Sequence, residues 1–189
     1  LTSSTIAATT PENAAWSHIY TANEVVTWAI SGTDAGSFTL NANGTLSLSA
    51  RNFEVPNDSN GDGIFTVVVS ATDGSGNVSS QTLNLTISNA NDPPVFTTGS
   101  GASTHAISIA ENETSVLTFT GSDVDPNTTL QWVFANSSFD RLRFSINSGT
   151  GALSFIVAPD FENPTDTNRD NVYIVNIGLF DGTALAIQT

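Results

Sequence analysis

The chain has 189 residues, with 18 acidic against 4 basic side chains and a formal net charge of −14. That balance excludes nucleic acid and anionic membrane surfaces as partners, because both are gripped through Lys and Arg. Cysteine is absent and no apolar run approaches the roughly 18 residues of a membrane span, which excludes a disulfide scaffold and a helical membrane insertion.

The acid excess has two readings: a solvated surface, or carboxylates gathered for cations. Only 12% of residues are charged, so Ser, Thr, Asn and Gly must coat most of the surface. A cysteine-free, acidic, Thr/Asn-rich chain fits a secreted or surface protein of bacterial origin. Nothing resembles a signal peptide, and the chain starts and stops inside its own pattern, as an excised piece would.

The first landmark is Pro11-Glu12-Asn13. Residues 25–30 (Val-Val-Thr-Trp-Ala-Ile) predict a strand, with Trp28 directed to a core. Gly44-Thr45-Leu46-Ser47 follows, then Asn52-Phe53-Glu54 and the acidic loop Asp58-Ser59-Asn60-Gly61-Asp62-Gly63. Residues 65–71 are a β-branched and aromatic run closed by Asp73-Gly74, and residues 83–87 alternate with the period of two of a half-buried strand. Asn89-Ala90-Asn91-Asp92-Pro93-Pro94 reads as a joint, stiffened by two residues that lack an N–H.

The same order then repeats. Glu111-Asn112 answers Glu12-Asn13 at an offset of 99, and Gly151-Ala152-Leu153-Ser154 answers Gly44 to Ser47 at 107. Glu162, Asp166, Asp170 and Asp181 answer Glu54, Asp58, Asp62 and Asp73 at a constant 108. Residues 130–134 match the first Trp-bearing strand, with Trp132 as its core residue, and residues 172–177 are a β-branched and aromatic run that, like residues 65–71, predicts a strand closed by an Asp-Gly turn. Two copies of about 100 residues follow. Short strands at regular spacing, separated by turn residues and without helical periodicity, predict an all-β fold of two tandem Greek-key β-sandwiches. The expected domains are 1–92, including the joint, and 93–189. Only 8 residues follow Asp181, so the final strand of the second copy is expected to be cut short and to leave an open sheet edge.

Five acidic signatures sit in order: Pro11-Glu12-Asn13, Phe53-Glu54, Asn91-Asp92-Pro93, Asp123-Val124-Asp125-Pro126 and Phe180-Asp181-Gly182. In these the chain resembles the cadherin repeat family, in its bacterial cadherin-like form. The resemblance implies calcium bound between consecutive repeats, with ligands from Glu12 and Glu54 of the first repeat. Asp92 and the Asn91 carbonyl would contribute from the joint, and Asp123, Asp125 and Asp181 from the second repeat. Calcium takes six to eight oxygens, more than any one short loop here supplies. The pattern departs at Asn52, Asn89 and Pro93, where the family has Asp, Asp and Asn, so fewer ions than three and an affinity of about 10⁻⁴–10⁻³ M are implied. The first copy lacks an Asp-x-Asp, so Asp73 cannot complete a site with a preceding repeat. Glu111, Asp160 and Glu162 form half of a site for a third.

Two loops stay open between alternatives. Asp58, Asn60 and Asp62 match the start of an EF-hand loop, yet its twelfth position is Val69, not Glu. Asp166, Asn168 and Asp170 repeat the pattern. Each loop either holds its own calcium or is an Asx turn. His18 and His105 have no metal-ligand spacing, and no catalytic motif is present, so no enzyme and no catalytic residue are expected. Trp16 has no counterpart and is a candidate for exposure. The functional expectation is a calcium-stiffened segment of an extracellular or cell-surface protein, adhering to other cadherin-like repeats in the same chain or homophilically. The alternatives are a carbohydrate-binding module with a polysaccharide partner, and a spacer that binds no calcium.

Overall fold

The computed structural model describes residues 4–135 and 140–189. The chain divides into two compact units, Leu1–Ala90 and Asn91–Thr189, so the division falls within the predicted joint.

The first unit has seven strands: β1 (Thr5–Pro11), β2 (Trp16–Ile19), β3 (Val26–Ser31), β4 (Phe38–Leu40), β5 (Thr45–Leu48), β6 (Ile64–Asp73) and β7 (Val78–Ser88). One sheet has the order β1-β7-β6-β3 and the other β2-β5-β4. The chain crosses between sheets after β1, β2, β3 and β5, which is a Greek-key path. β6 alternates half-buried and buried residues along nearly its whole length, because every second side chain faces the other sheet. Phe65, Val67 and Val69 of β6, Leu83, Leu85 and Ile87 of β7, and Phe38, Leu46 and Leu48 opposite build the core, with Trp28 and Trp16 packed against it. Trp16 is thus half-buried on the core rather than free on the surface. β1 runs parallel to β7, from Thr5 opposite Thr82 to Pro11 opposite Ser88.

The second unit contains β8 (Val95–Phe96), β9 (Ser115–Thr118), β10 (Gly121–Ser122), β11 (Gln131–Phe134), β12 (Phe144–Ile146), β13 (Ala152–Phe155), β14 (Ile177–Phe180) and β15 (Leu185–Gln188). Its sheets are β11-β14-β15, β12-β13-β9 and the short pair β10-β8. Phe96, Phe119, Trp132, Phe144, Leu153, Phe155, Ile177 and Leu179 form its core. Gly44 and Gly151 repeat one device. Each has positive φ (+85° and +73°), and an added Cβ would strike a carbonyl oxygen, of Tyr20 or Phe119, and the indole of Trp28 or Trp132.

The strand expected over residues 172–177 is corrected: the ladder begins only at Ile177. β6 pairs β7 from Ile64 to Thr72, whereas β14 pairs β15 only from Ile177 to Phe180. Residues 172–176 have strand-like side chains, but among the described residues no strand is paired with them.

Candidate metal centre

In the first unit Glu12 sits just past β1 and is only 3% exposed. Its Oε2 accepts the Phe53 N–H at 2.8 Å and its Oε1 the Ala90 N–H at 2.9 Å. One carboxylate thereby ties the end of β1 to the Glu54 loop and to the joint. Carboxylate oxygens of Glu12 and Glu54 lie within 4.8 Å of each other. Asn52, where the family pattern has an acid, uses its side-chain oxygen to accept the Val55 N–H.

In the second unit Asn91, Asp92, Asp123, Asp125 and Asp181 are joined by hydrogen bonds. The Asp92 N–H donates to Asp125 Oδ2 at 2.7 Å, and the Asp125 N–H donates to Asp123 Oδ1 at 2.9 Å. The Asn91 amide donates to Asp181 Oδ2 at 2.9 Å, while Asp181 Oδ1 accepts the N–H groups of Thr183 and Ala184. Burial opposes ionisation of Asp181, but these donors outweigh it and hold the carboxyl below its ordinary range. The remaining oxygens, Asp123 Oδ2 and Asp125 Oδ1, are buried and meet no hydrogen-bond donor among the described residues. A buried anionic oxygen without a donor is costly. The donor set here is oxygen only, carboxylates with a carbonyl, and contains neither imidazole nor thiolate. That chemistry suits a hard cation such as calcium and not a zinc-like ion.

A second acidic group, Glu111, Asp160 and Glu162, brings carboxylate oxygens within 4.8 Å of one another at exposed positions. Glu111 Oε2 accepts the Phe161 N–H at 2.9 Å, the counterpart of the Glu12–Phe53 bond.

The two acidic loops are held by N–H donors. Asp58 accepts the N–H of Asp62 and of Gly63, both at 3.0 Å, and Asp62 accepts from Asn60 and from the Ile64 N–H. Asp166, Asp170 and Asn168 repeat the arrangement, with Asn171 and Val172 as the further donors. These are the bonds of Asx-type turns. Burial opposes ionisation of Asp58 and Asp166, but the backbone donors prevail and lower both carboxyl pKa values. Asp73 forms a similar turn with Asn77 and Ser75 at the β6–β7 hairpin.

Sequence reasoning missed Asp34 and Asp140, each 5% exposed. Asp34 accepts the N–H of Ser59 and of Thr66, both at 2.7 Å, and Asp140 accepts those of Thr167 and Ile174, both at 2.8 Å. Each pins its acidic loop to the strand or segment that follows. The available signal was an Asp-x-x-x-Phe spacing shared by Asp34/Phe38 and Asp140/Phe144.

Two facing layers of antiparallel strands, with β1 added in parallel, define the class: an all-β sandwich. Comparison with solved structures finds the same fold in cadherin extracellular domains. Drosophila N-cadherin EC1-4 matches with a TM-score of 0.62 at 14% identity, covering 98% of this chain and 47% of that one. The protocadherin GammaB4 extracellular domain gives 0.56 at 18%, covering 99% and 32%, and mouse cadherin-23 EC22-24 gives 0.54 at 16%, covering 100% and 62%. At these identities the likeness is one of fold. The chain spans less than two thirds of the length of each. No protein-family model matches the chain, and no curated protein does.

Proposed function

We propose that this chain is a calcium-binding, adhesion-type segment of an extracellular or cell-surface protein, bacterial in origin, built from two tandem cadherin-like repeats. Asn91, through its carbonyl, and Asp92, Asp123, Asp125 and Asp181 hold the ion. Glu12 and Glu54 complete its coordination, and binding stiffens the joint between the repeats. The observation that carries this reading is the pair of buried oxygens Asp123 Oδ2 and Asp125 Oδ1, which lack donors. Hydrogen bonds to N–H groups take the other oxygen of each carboxylate and hold both side chains in place. A divalent cation supplies the missing positive charge and offsets the repulsion among the acids.

The chain acts by binding, with other cadherin-like repeats as its partners, and not by catalysis. The sugar-binding alternative lacks support from the three tryptophans: Trp16 and Trp28 pack against the first core and Trp132 lies in the second. The test is thermal unfolding in millimolar calcium and in excess chelator, for the wild type and Asp92→Ala. The proposal requires a rise in Tm with calcium that the variant blunts. Superimposable curves reject it.

A further inference from the structure

Asparagine is thermolabile, and most of all when glycine follows it, because a nitrogen with no Cβ beside it closes easily onto the side-chain Cγ. The chain has two such pairs, Asn43-Gly44 and Asn60-Gly61. The fold treats them oppositely.

Asn43-Gly44 is locked in the turn between β4 and β5. Gly44 is buried, its N–H donates to Asn41 O at 2.9 Å, and the Tyr20 carbonyl and Trp28 indole fill the space beside it. Asn43 Oδ1 accepts the Thr45 N–H at 3.1 Å. This turn would have to come apart for the Gly44 nitrogen to reach Asn43 Cγ.

Asn60-Gly61 lies in the first acidic loop, with both residues exposed. Gly61 has a φ of +75° and nothing within 4 Å of where a Cβ would stand. Its N–H is among the backbone donors that face the Asp58 carboxylate. A base therefore already meets the proton that must leave when the nitrogen attacks. Asn60 Nδ2, the nitrogen that would depart, donates to Asp62 Oδ2 at 2.8 Å.

The second unit supplies the comparison. At the offset of 108 its loop has Asn168, whose Nδ2 donates to Asp170 Oδ2 at 2.7 Å, so the hydrogen bonding is the same. Arg169 stands where the first loop has Gly61, at a φ of +62°. A Cβ there crowds ring closure.

We propose that Asn60-Gly61 is a self-modifying site. The Gly61 nitrogen attacks Asn60 Cγ, forming an N–Cγ bond while the Cγ–Nδ2 bond breaks. The nitrogen's proton passes, by way of Asp58 and water, to the departing ammonia. Water then opens the succinimide at either carbonyl and leaves aspartate or isoaspartate at position 60. The only co-reactant is water. The product replaces the Asn60 donor by a carboxylate facing Asp62, exchanging a hydrogen bond for like-charge repulsion. The isoaspartate form also adds a methylene to the main chain between Asp58 and the two N–H groups it holds, those of Asp62 and Gly63. The acidic loop of the first unit is thereby loosened once, irreversibly, as the protein ages.

The test is ageing of the whole chain in chelator at mildly alkaline pH, followed by peptide mapping with mass spectrometry and an isoaspartate assay. Conversion at position 60 should run at least about tenfold faster than at Asn43 or Asn168. In concentrated urea the two Asn-Gly pairs should convert alike. Arg169→Gly places glycine where φ is already positive, and should speed conversion of Asn168 at least about tenfold. Asn60→Asp should lower the amide-exchange protection of Asp62 and Gly63. Three results overturn the proposal: an Asn60 that converts in urea but not in the folded chain, an Asn43 that matches Asn60 in the folded chain, or an Asn168 left inert by Arg169→Gly. Unchanged protection in Asn60→Asp overturns the loosening.

Discussion

Replacing Asp123 by Asn should change stability in opposite directions with and without calcium. Asp123 Oδ1 accepts the Asp125 N–H at 2.9 Å, and the amide oxygen of Asn can keep that bond. The change falls on Oδ2, which is buried without a donor, as is Oδ1 of Asp125. An unsatisfied buried group costs about 1–3 kcal/mol. Neutralising one should therefore return about 1 kcal/mol in chelator, or about 4–8 °C in Tm for a unit of this size. With calcium at a hundred times its Kd, the wild type gains about 2.7 kcal/mol by linkage. A variant that no longer binds forfeits this gain and ends about 1.7 kcal/mol below the wild type, the difference of those two figures. The assay is unfolding followed by circular dichroism, in chelator and across a calcium series, with the two curves expected to cross. A variant destabilised by the same amount in both conditions would refute the reasoning, because Asp123 would then be an ordinary structural carboxylate.

Glu12→Ala removes the acceptor of two N–H groups from a residue only 3% exposed, and should cost about 3 kcal/mol by urea unfolding in chelator. Leu85→Ala, at a fully buried position of β7, should cost about 2–5 kcal/mol in the same assay. Gly44→Ala and Gly151→Ala should each lower Tm, since both positions combine positive φ with a clash against a carbonyl and an indole. The pKa values of Asp34, Asp58 and Asp166 are lowered in the folded state, so their stabilisation is present above the unfolded carboxyl pKa of about 3.9 and is lost as pH falls through the folded values. For Asp34, burial opposes ionisation and the Thr66 and Ser59 donors overcome it. Acid titration of unfolding in chelator should show a smaller loss below pH of about 4 for Asp34→Asn than for the wild type; an equal loss would remove Asp34 from the acid response.

The constant offset of 108 made the repeat legible, and with it the correspondence of Phe65 with Tyr173; Trp28 answers Trp132 at 104, on the likeness of their flanking residues. Side-chain alternation located β6 and β7 because a period of two reports which face is apolar. It does not report whether a neighbour exists to pair with, which is why residues 172–176 read as strand and stand outside the ladder. Asp34 and Asp140 escaped for a related reason. An acid in a turn looks solvated until a loop far along the chain folds over it, and Asp34 meets Ser59 and Thr66 only through that return. The acids at 92, 123, 125 and 181 were legible as a pattern. Which of their oxygens accept N–H groups, and which two do not, depends on backbone direction that sequence does not carry.

Calorimetric titration of calcium into chelator-stripped protein, beside the Asp123→Asn/Asp125→Asn double variant, tests the central claim most directly. The account predicts saturable binding to the wild type with a Kd of about 10⁻⁴–10⁻³ M, and its loss in the double variant. Equal binding to both proteins, or none to the wild type at several millimolar calcium, would contradict it.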